Sequence, residues 1–232
     1  MEIIEHYGKS LKYLTVEPDG YDSTRQYPMV ILLHGYGAHM GDLTGLSPFI
    51  DKTRYLYVLP NAPIPIESEY GTVGYAWMNL SERNEGTNRE AEEAERKLEV
   101  FFEDVVEKYQ YSFPQVVVVG FSQGGMMTYQ WGISNPQRFL GLASLSSMIQ
   151  DESVLLGRLP CARDQSIFVV HGTDDQLIPV EDGRRAQKFL LNCGYSLDYK
   201  EYVMGHQITL DVMTDLGSWI RRVLGPSTQT EG

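Results

Sequence analysis

Cysteine is scarce in this chain: its 232 residues include only Cys161 and Cys193, and neither belongs to a CxxC pair or a histidine-rich segment. This usage argues against a disulfide framework and against a zinc site, and it predicts reduced thiols. Basic residues are also few, since 19 Lys and Arg stand against 31 Asp and Glu, a net charge of −12. That balance argues against nucleic acid and anionic membrane surfaces as partners, because both attract clustered Lys and Arg.

Long apolar runs are absent as well. No stretch approaches the roughly 18 apolar residues of a membrane-spanning helix, and Glu2 and Glu5 stand where a secretory signal carries basic residues. We therefore expect a cytoplasmic protein with no membrane partner. The length favours a single domain over residues 1–232 and leaves the oligomeric state open.

Short apolar, β-branched runs alternate with helical patterns along the chain. Runs that are apolar on both faces suit the buried strands of a parallel sheet, and the β-α-β-α order predicts a wound α/β sheet with right-handed crossovers. The first and last runs alternate more and are expected at the sheet edges. The predicted strands are Lys12–Val16, Met29–Leu33, Tyr55–Leu59, Val116–Val119, Leu140–Leu145, Ile167–Val170 and Leu197–Val203. The predicted helices begin at Thr87, with a glutamate-rich face expected in solvent, and cover Gln123–Ile133, Gly183–Asn192 and Thr209–Leu224.

The stretch 61–86 fits neither pattern, because it holds prolines, glycines and scattered aromatic residues without periodicity. Connections of this length are usually binding loops or lids. A packed surface loop with no further role is an equally good interpretation.

Gly120-Phe121-Ser122-Gln123-Gly124 is a G-x-S-x-G pentapeptide between a run of four valines and a predicted helix. This context places Ser122 on a sharp strand-to-helix turn that exposes its hydroxyl, as in a serine nucleophile. A serine hydroxyl needs a base, and the base needs an orienting acid. For such a turn the chain order is Ser, acid, His.

His206 is the only histidine downstream of the candidate acids, and it follows the strand that ends at Val203. The acid lies in the loop after Ile167–Val170, where Asp174 and Asp175 are adjacent and strand alternation does not separate them. His171 stands at the end of that strand, and we interpret it as a structural histidine that pins the loop.

An oxyanion hole completes such a site. Its first donor is the backbone N–H of Gln123, directly after the nucleophile, and the second is expected from the loop after an earlier strand. His34-Gly35-Tyr36-Gly37 follows Met29–Leu33 and has small residues that let backbone approach a ligand. Tyr36 N–H is the candidate.

Four segments together resemble the phospholipase/carboxylesterase family, small α/β-hydrolases that include the acyl-protein thioesterases. They are Leu33–Gly37, Gly120–Gly125, His171–Pro179 and Gly205-His206. The resemblance implies an α/β-hydrolase fold with a mostly parallel central sheet and helices on both faces. It also implies Ser122 as nucleophile, Asp175 as acid, His206 as base, and the N–H groups of Tyr36 and Gln123 as oxyanion donors.

The resemblance implies a serine carboxylesterase that needs no metal and no organic cofactor, with a small-molecule ester as its partner. Two departures from the family, Ala38 in place of an acidic residue and the Pro- and Gly-rich Ile64–Gly86, favour short-to-medium acyl esters. The alternatives are a thioesterase or lysophospholipase with the same triad, or a non-catalytic scaffold of this fold. The expected pocket residues are Trp77, Met78, Met126, Met148 and Ile178.

Overall fold

A computed structural model describes residues 1–69, 71–79, 85–111 and 115–225, with the backbone alone described at 85–88. The strands are β1 (Glu2–Tyr7), β2 (Lys12–Glu17), β3 (Met29–Leu33), β4 (Leu56–Pro60), β5 (Ile64–Ser68), β6 (Gly71–Ala76), β7 (Val116–Phe121), β8 (Gly141–Leu145), β9 (Ser166–Gly172) and β10 (Leu197–Tyr202). The helices are α1 (Ser47–Ile50), α2 (Glu85–Lys108), α3 (Gln123–Met127), α4 (Glu152–Arg158), α5 (Val180–Asn192) and α6 (Leu210–Leu224). Short 3₁₀ and π-helical turns, Thr44–Leu46 and Thr128–Gly132, precede α1 and follow α3.

Eight strands form one sheet in the order β1-β2-β4-β3-β7-β8-β9-β10. From β4 to β10 the neighbours are parallel, whereas β2 runs antiparallel to both β1 and β4. The predicted wound, mostly parallel α/β sheet is therefore confirmed. The last predicted strand lies at an edge as expected, but the first, β2, is covered by β1.

The sheet is buried on both faces, which explains why its central strands are apolar throughout. In β3, Met29 and Ile31 pack on one side while Val30 and Leu32 pack on the other. Apolar residues of α2, α3, α4 and α5 cover the first face. Residues of α1 and α6 cover the second. Helices on both faces follow from this two-sided burial.

The stretch 61–86 contains a β-hairpin that the sequence pattern did not predict. Strands β5 and β6 pair antiparallel as a separate two-stranded sheet, with an irregularity between Ile66 and Glu67. The expected loop therefore includes two paired strands. Pro65 and the register shift conceal the strand period, and the pairing partner lies within the same short segment.

Candidate active site

The predicted site residues lie at the carboxyl ends of the parallel strands. Strands β3 and β7 are adjacent, and the chain leaves β3 toward β4 but leaves β7 toward β8, on the opposite side. Loops diverge at such a switch point and leave a crevice outside the sheet, where α/β folds bind ligands. The loop that begins at His34 and the turn at Ser122 therefore face one another across this crevice.

Ser122 has a backbone conformation that residues other than glycine rarely adopt, with φ 54° and ψ −120°. Such strain costs about 1–3 kcal/mol and persists only where neighbouring contacts impose it. Here Ser122 N–H donates to the Leu145 carbonyl at 2.9 Å, and the Ser147 hydroxyl donates to the Ser122 carbonyl at 2.6 Å. The turn also packs so closely on β3 that a Cβ on Gly124 would lie 2.1 Å from the Leu33 carbonyl oxygen. The G-x-S-x-G spacing is thus a steric requirement of this turn.

Two hydrogen bonds connect Ser122 to a buried carboxylate through His206. His206 Nε2 lies 2.9 Å from Ser122 Oγ, and His206 Nδ1 lies 2.8 Å from Asp175 Oδ2. An ionised carboxylate only accepts hydrogen bonds, so the proton of the neutral imidazole resides on Nδ1. Nε2 is then free to accept the serine proton. The Phe121 ring packs on the imidazole, with 4.9 Å between the ring centroids.

Asp175 is held in its charged form although its side chain is fully buried. Burial opposes ionisation, but the N–H groups of Ile178 and Leu177, each 2.9 Å from Oδ1, and the hydrogen bond from His206 outweigh it. Together they lower the pKa of Asp175 below its ordinary value. Asp174 is exposed, and its Oδ1 accepts from the Thr173 hydroxyl at 3.4 Å. The structure thus brings Asp175, rather than its neighbour, against His206.

His171 is buried beside this loop, in agreement with the structural role expected for it. Its Nε2 lies 2.8 Å from the carbonyl oxygen of Ile178, which can only accept, so Nε2 carries the proton. This hydrogen bond fixes the far end of the loop whose N–H groups bind Asp175.

The candidate oxyanion donors lie close to the nucleophile. A Cβ built on Gly35 would be 3.2 Å from the Cβ of Ser122, so the backbone that leads to Tyr36 passes directly over the serine. Gln123 begins α3, where a helix leaves its first N–H groups without helical partners. Within the described part of the chain, neither Tyr36 N–H nor Gln123 N–H donates to a backbone carbonyl.

A cavity of about 910 Å³ opens at Ser122 and His206. Three of the predicted pocket residues, Met126, Met148 and Ile178, line it. The sequence did not predict the apolar wall that comes from the segment after β3, which includes α1, and from residues at and just before the start of α6. Those side chains are Leu43, Leu46, Phe49, Ile208 and Met213. The available signal for this wall was that the segment leaves β3 at the switch point of the sheet, where α/β folds bind ligands.

Trp77 and Met78, in contrast, do not line the cavity, contrary to expectation. Both side chains are almost completely buried in the core beneath the hairpin. The Trp77 indole N–H donates to the His34 carbonyl at 2.8 Å. No described residue between 61 and 86 contributes to the cavity wall.

No group of three or more His, Cys, Asp or Glu side chains among the described residues is arranged to hold a metal ion. Among the helices that the structure describes, none is long and apolar enough to cross a bilayer.

Comparisons with known proteins find similarity over most of the chain. The family model described as Phospholipase/Carboxylesterase matches residues 21–224. A probable carboxylesterase from Oryza sativa subsp. japonica is 26% identical over 228 residues, covering 94% of this chain and 86% of the relative. Acyl-protein thioesterase 1 from Mycosarcoma maydis is 23% identical over 236 residues, covering 92% of this chain and 98% of the relative.

Solved structures of esterases share the fold. The crystal structure of esterase PE8 superposes with a TM-score of 0.78 at 26% identity, covering 93% of this chain and all of that one. The mostly parallel sheet with its flanking helices is thus the α/β-hydrolase fold.

Proposed function

Because this chain belongs to the phospholipase/carboxylesterase family and is a hydrolase of carboxylic ester bonds, we propose that Ser122, His206 and Asp175 carry its reaction. The observation that carries this proposal is the pair of hydrogen bonds from Ser122 Oγ to His206 Nε2 and from His206 Nδ1 to Asp175 Oδ2. The order nucleophile, base, orienting acid is what serine acyl transfer requires.

In the acylation half, His206 Nε2 takes the proton of Ser122 as Oγ bonds to the ester carbonyl carbon. The carbonyl oxygen becomes an oxyanion that accepts hydrogen bonds from the backbone N–H groups of Tyr36 and Gln123. Each donor of this kind is worth about 3 kcal/mol of barrier. The imidazolium then gives its proton to the departing alcohol oxygen, and the acyl group remains on Ser122.

In the deacylation half, water replaces the alcohol. His206 takes a proton from this water while its oxygen adds to the acyl carbon, and the oxyanion forms again between the same two N–H groups. Collapse breaks the bond to Ser122 Oγ, which recovers its proton from His206 as the carboxylic acid leaves. Asp175, which keeps its charge because its pKa is lowered, stabilises the imidazolium in both halves.

The cavity supports short-to-medium acyl esters as substrates. Its volume of about 910 Å³ falls within the ~300–1,000 Å³ typical of small-molecule sites, and Leu43, Leu46 and Phe49 make one wall apolar. Among the residues that the structure describes, the cavity lining includes Asp42 and Asp182 but neither Lys nor Arg. Neutral esters are therefore expected to react faster than esters that carry a carboxylate or phosphate near the scissile bond.

A thioesterase or lysophospholipase activity is the second candidate, and the similarity to an acyl-protein thioesterase favours testing it. The same residues can attack a thioester, so the geometry of the triad does not separate the two. The two activities can be separated by comparing turnover of butyryl and octanoyl p-nitrophenyl esters with turnover of the matched acyl-thioesters. A higher kcat/KM on the esters supports the carboxylesterase, and the reverse order supports the thioesterase.

Labelling with a fluorophosphonate probe tests the nucleophile and also tests a non-catalytic scaffold. We expect the folded protein to label and the Ser122→Ala variant to lose all labelling. Ser218→Ala, at an exposed serine of α6, is the matched control and should label normally. Folded protein that does not react, or a Ser122→Ala variant that still does, contradicts the proposal.

A further inference from the structure

The side-chain amide of Gln123 makes two hydrogen bonds to the backbone that follows the hairpin. Its Oε1 accepts from Trp77 N–H at 2.8 Å, and its Nε2 donates to the Met78 carbonyl at 2.6 Å. Gln123 is 1% exposed, so water cannot replace either bond if one partner is removed. The backbone N–H of Gln123 is a candidate oxyanion donor. Its side chain therefore ties this donor to the segment at Trp77 and Met78.

Trp77 also contacts the loop that carries the second candidate oxyanion donor, Tyr36. Its indole N–H donates to the His34 carbonyl at 2.8 Å. Ala62 N–H donates to His34 Nε2 at 3.0 Å, so the imidazole proton is on Nδ1, which donates to the Gly35 carbonyl at 2.8 Å. The Gly35 carbonyl belongs to the peptide unit whose N–H is that of Tyr36. The orientation of that peptide therefore depends on His34.

Strand β6 holds the same loop from its other end. Gly37 N–H donates to the Tyr75 carbonyl at 2.9 Å, and Tyr75 N–H donates to the Ala38 carbonyl at 2.8 Å. The two backbones are so close that a Cβ on Gly74 would lie 2.0 Å from the Gly37 carbonyl oxygen. Tyr36 is consequently fixed on both sides, by His34 before it and by β6 after it.

We propose that residues 71–78 form a brace that aims both oxyanion N–H groups, and that Gln123 is a positioning residue through its side-chain amide. This inference rests on the proposed function, because it assigns the support of the Tyr36 and Gln123 donors used there. Residues 71–78 then affect turnover although none of them lines the cavity.

The kinetic signature of such a residue differs from that of a merely structural one. An oxyanion exists only after attack on the carbonyl, so misaimed donors lower kcat and leave substrate binding nearly unchanged. Loss of one oxyanion donor lowers kcat by about 10²–10³. For donors displaced rather than removed, Gln123→Leu is expected to lower kcat by about 10–100-fold and to change KM less than about 3-fold.

The matched control is Gln165→Leu. Gln165 is also a buried glutamine whose amide donates to backbone carbonyls, those of Gly132 and Phe139 at 3.0 and 3.1 Å, but it does not line the cavity. Both substitutions should lower the Tm, and only the one at Gln123 should lower kcat on p-nitrophenyl butyrate. Affinity for a trifluoromethyl ketone, which forms a tetrahedral oxyanion adduct with a serine nucleophile, should fall in parallel with kcat in Gln123→Leu alone.

Gln123→Glu adds a pH readout. Its ionised carboxylate can accept from Trp77 N–H but cannot donate to the Met78 carbonyl, whereas the protonated carboxyl can do both. Burial favours the protonated form, so the ratio of variant to wild-type kcat should rise as the pH is lowered from about 8 to about 6. The ratio cancels the pH dependence that both enzymes share. Trp77→Phe keeps the backbone N–H that donates to Gln123 but removes the indole N–H that donates to His34, together with part of the buried ring. It is a milder variant and should lower kcat several-fold at constant KM.

Two outcomes overturn the inference, and they are distinguishable. If Ser122→Ala abolishes turnover while folded Gln123→Leu keeps kcat within about 2-fold of wild type, the brace is structural only. If Gln123→Leu does not fold, a Trp77→Phe variant with wild-type kcat has the same meaning. If Ser122→Ala retains turnover, the proposed function fails and the brace fails with it.

Discussion

The buried histidine His34 gives a quantitative prediction about acid stability. It is 1% exposed, and its imidazole is neutral, with Nδ1–H donating to Gly35 and Nε2 accepting from Ala62. Protonation would set a second N–H against the N–H of Ala62. Burial lowers the pKa of His34 from its ordinary 6.5 to about 4, although the hydrogen bond to Gly35 favours the charged form.

The direction of the effect follows from proton binding. Between about pH 6.5 and pH 4 the unfolded chain takes up a proton at His34 that the folded chain refuses, so the free energy of unfolding falls as the pH falls through this window. At 1.36 kcal/mol for each pKa unit, the loss between pH 7 and pH 4 is about 3 kcal/mol. About 2 kcal/mol of it is already lost at pH 5.

Urea denaturation of wild type and His34→Gln at several pH values between 7 and 4 isolates this contribution. The variant cannot titrate at this position, and the other titrating groups cancel in the difference. The variant should be the less stable protein at pH 7. The difference in free energy of unfolding between wild type and variant should shrink by about 3 kcal/mol by pH 4. A gap that does not change with pH would refute the neutral, buried histidine. His39→Gln, at an exposed histidine nearby, gives the background for losing an imidazole.

Three further substitutions test separate parts of the site. Asp175→Asn should lower kcat by about 10⁴ through loss of the imidazole orientation, whereas Asp174→Asn should stay within about 2-fold; equal effects in steady-state kinetics would contradict the assignment of the acid. Gly124→Ala should lower the free energy of unfolding by about 3 kcal/mol or more, because its Cβ meets the Leu33 carbonyl. A urea midpoint equal to that of wild type would show that the turn can relax. Phe49→Ala should raise KM about 5–10-fold more for an octanoyl than for an acetyl ester, and equal changes would exclude this wall from acyl binding.

Features that depend on local sequence were predictable. The valine run of β7, the glycines around Ser122 and the helix after it interact within about ten residues, and each has its own steric or periodic signal. The predicted α/β-hydrolase fold and family membership are confirmed. The choice between Asp174 and Asp175, in contrast, depends on where β10 carries His206 relative to β9, which neighbouring residues do not encode.

The features that were missed have more than one cause. Strand β1 has no alternating pattern because it is an exposed edge, held by backbone pairing to β2 and an ion pair between Glu5 and Lys12. On α2, which begins at Glu85 rather than at Thr87, the glutamate-rich face is not wholly solvated. Glu95 is buried against Arg158, and Glu99 accepts from the Trp131 indole. Periodicity identifies a helix face, but partners more than 30 residues away decide whether that face is solvated.

Trp77 shows the same limit at the candidate site. Its position directly after β6 gave no indication whether the ring faces the cavity or the core. That orientation is set by hydrogen bonds to His34 and Gln123, which lie 43 and 46 residues away.

Trapping the acyl-enzyme tests the central claim most directly. Rapid mixing with a p-nitrophenyl ester, acid quenching, intact-mass measurement and peptide mapping should find one acyl group per chain, attached to Ser122. A pre-steady-state burst of p-nitrophenol of the same stoichiometry should accompany it if deacylation is the slower half, and Asp175→Asn should form the adduct far more slowly. Full turnover with an acyl group on any residue other than Ser122, or by a Ser122→Ala variant, would contradict the account.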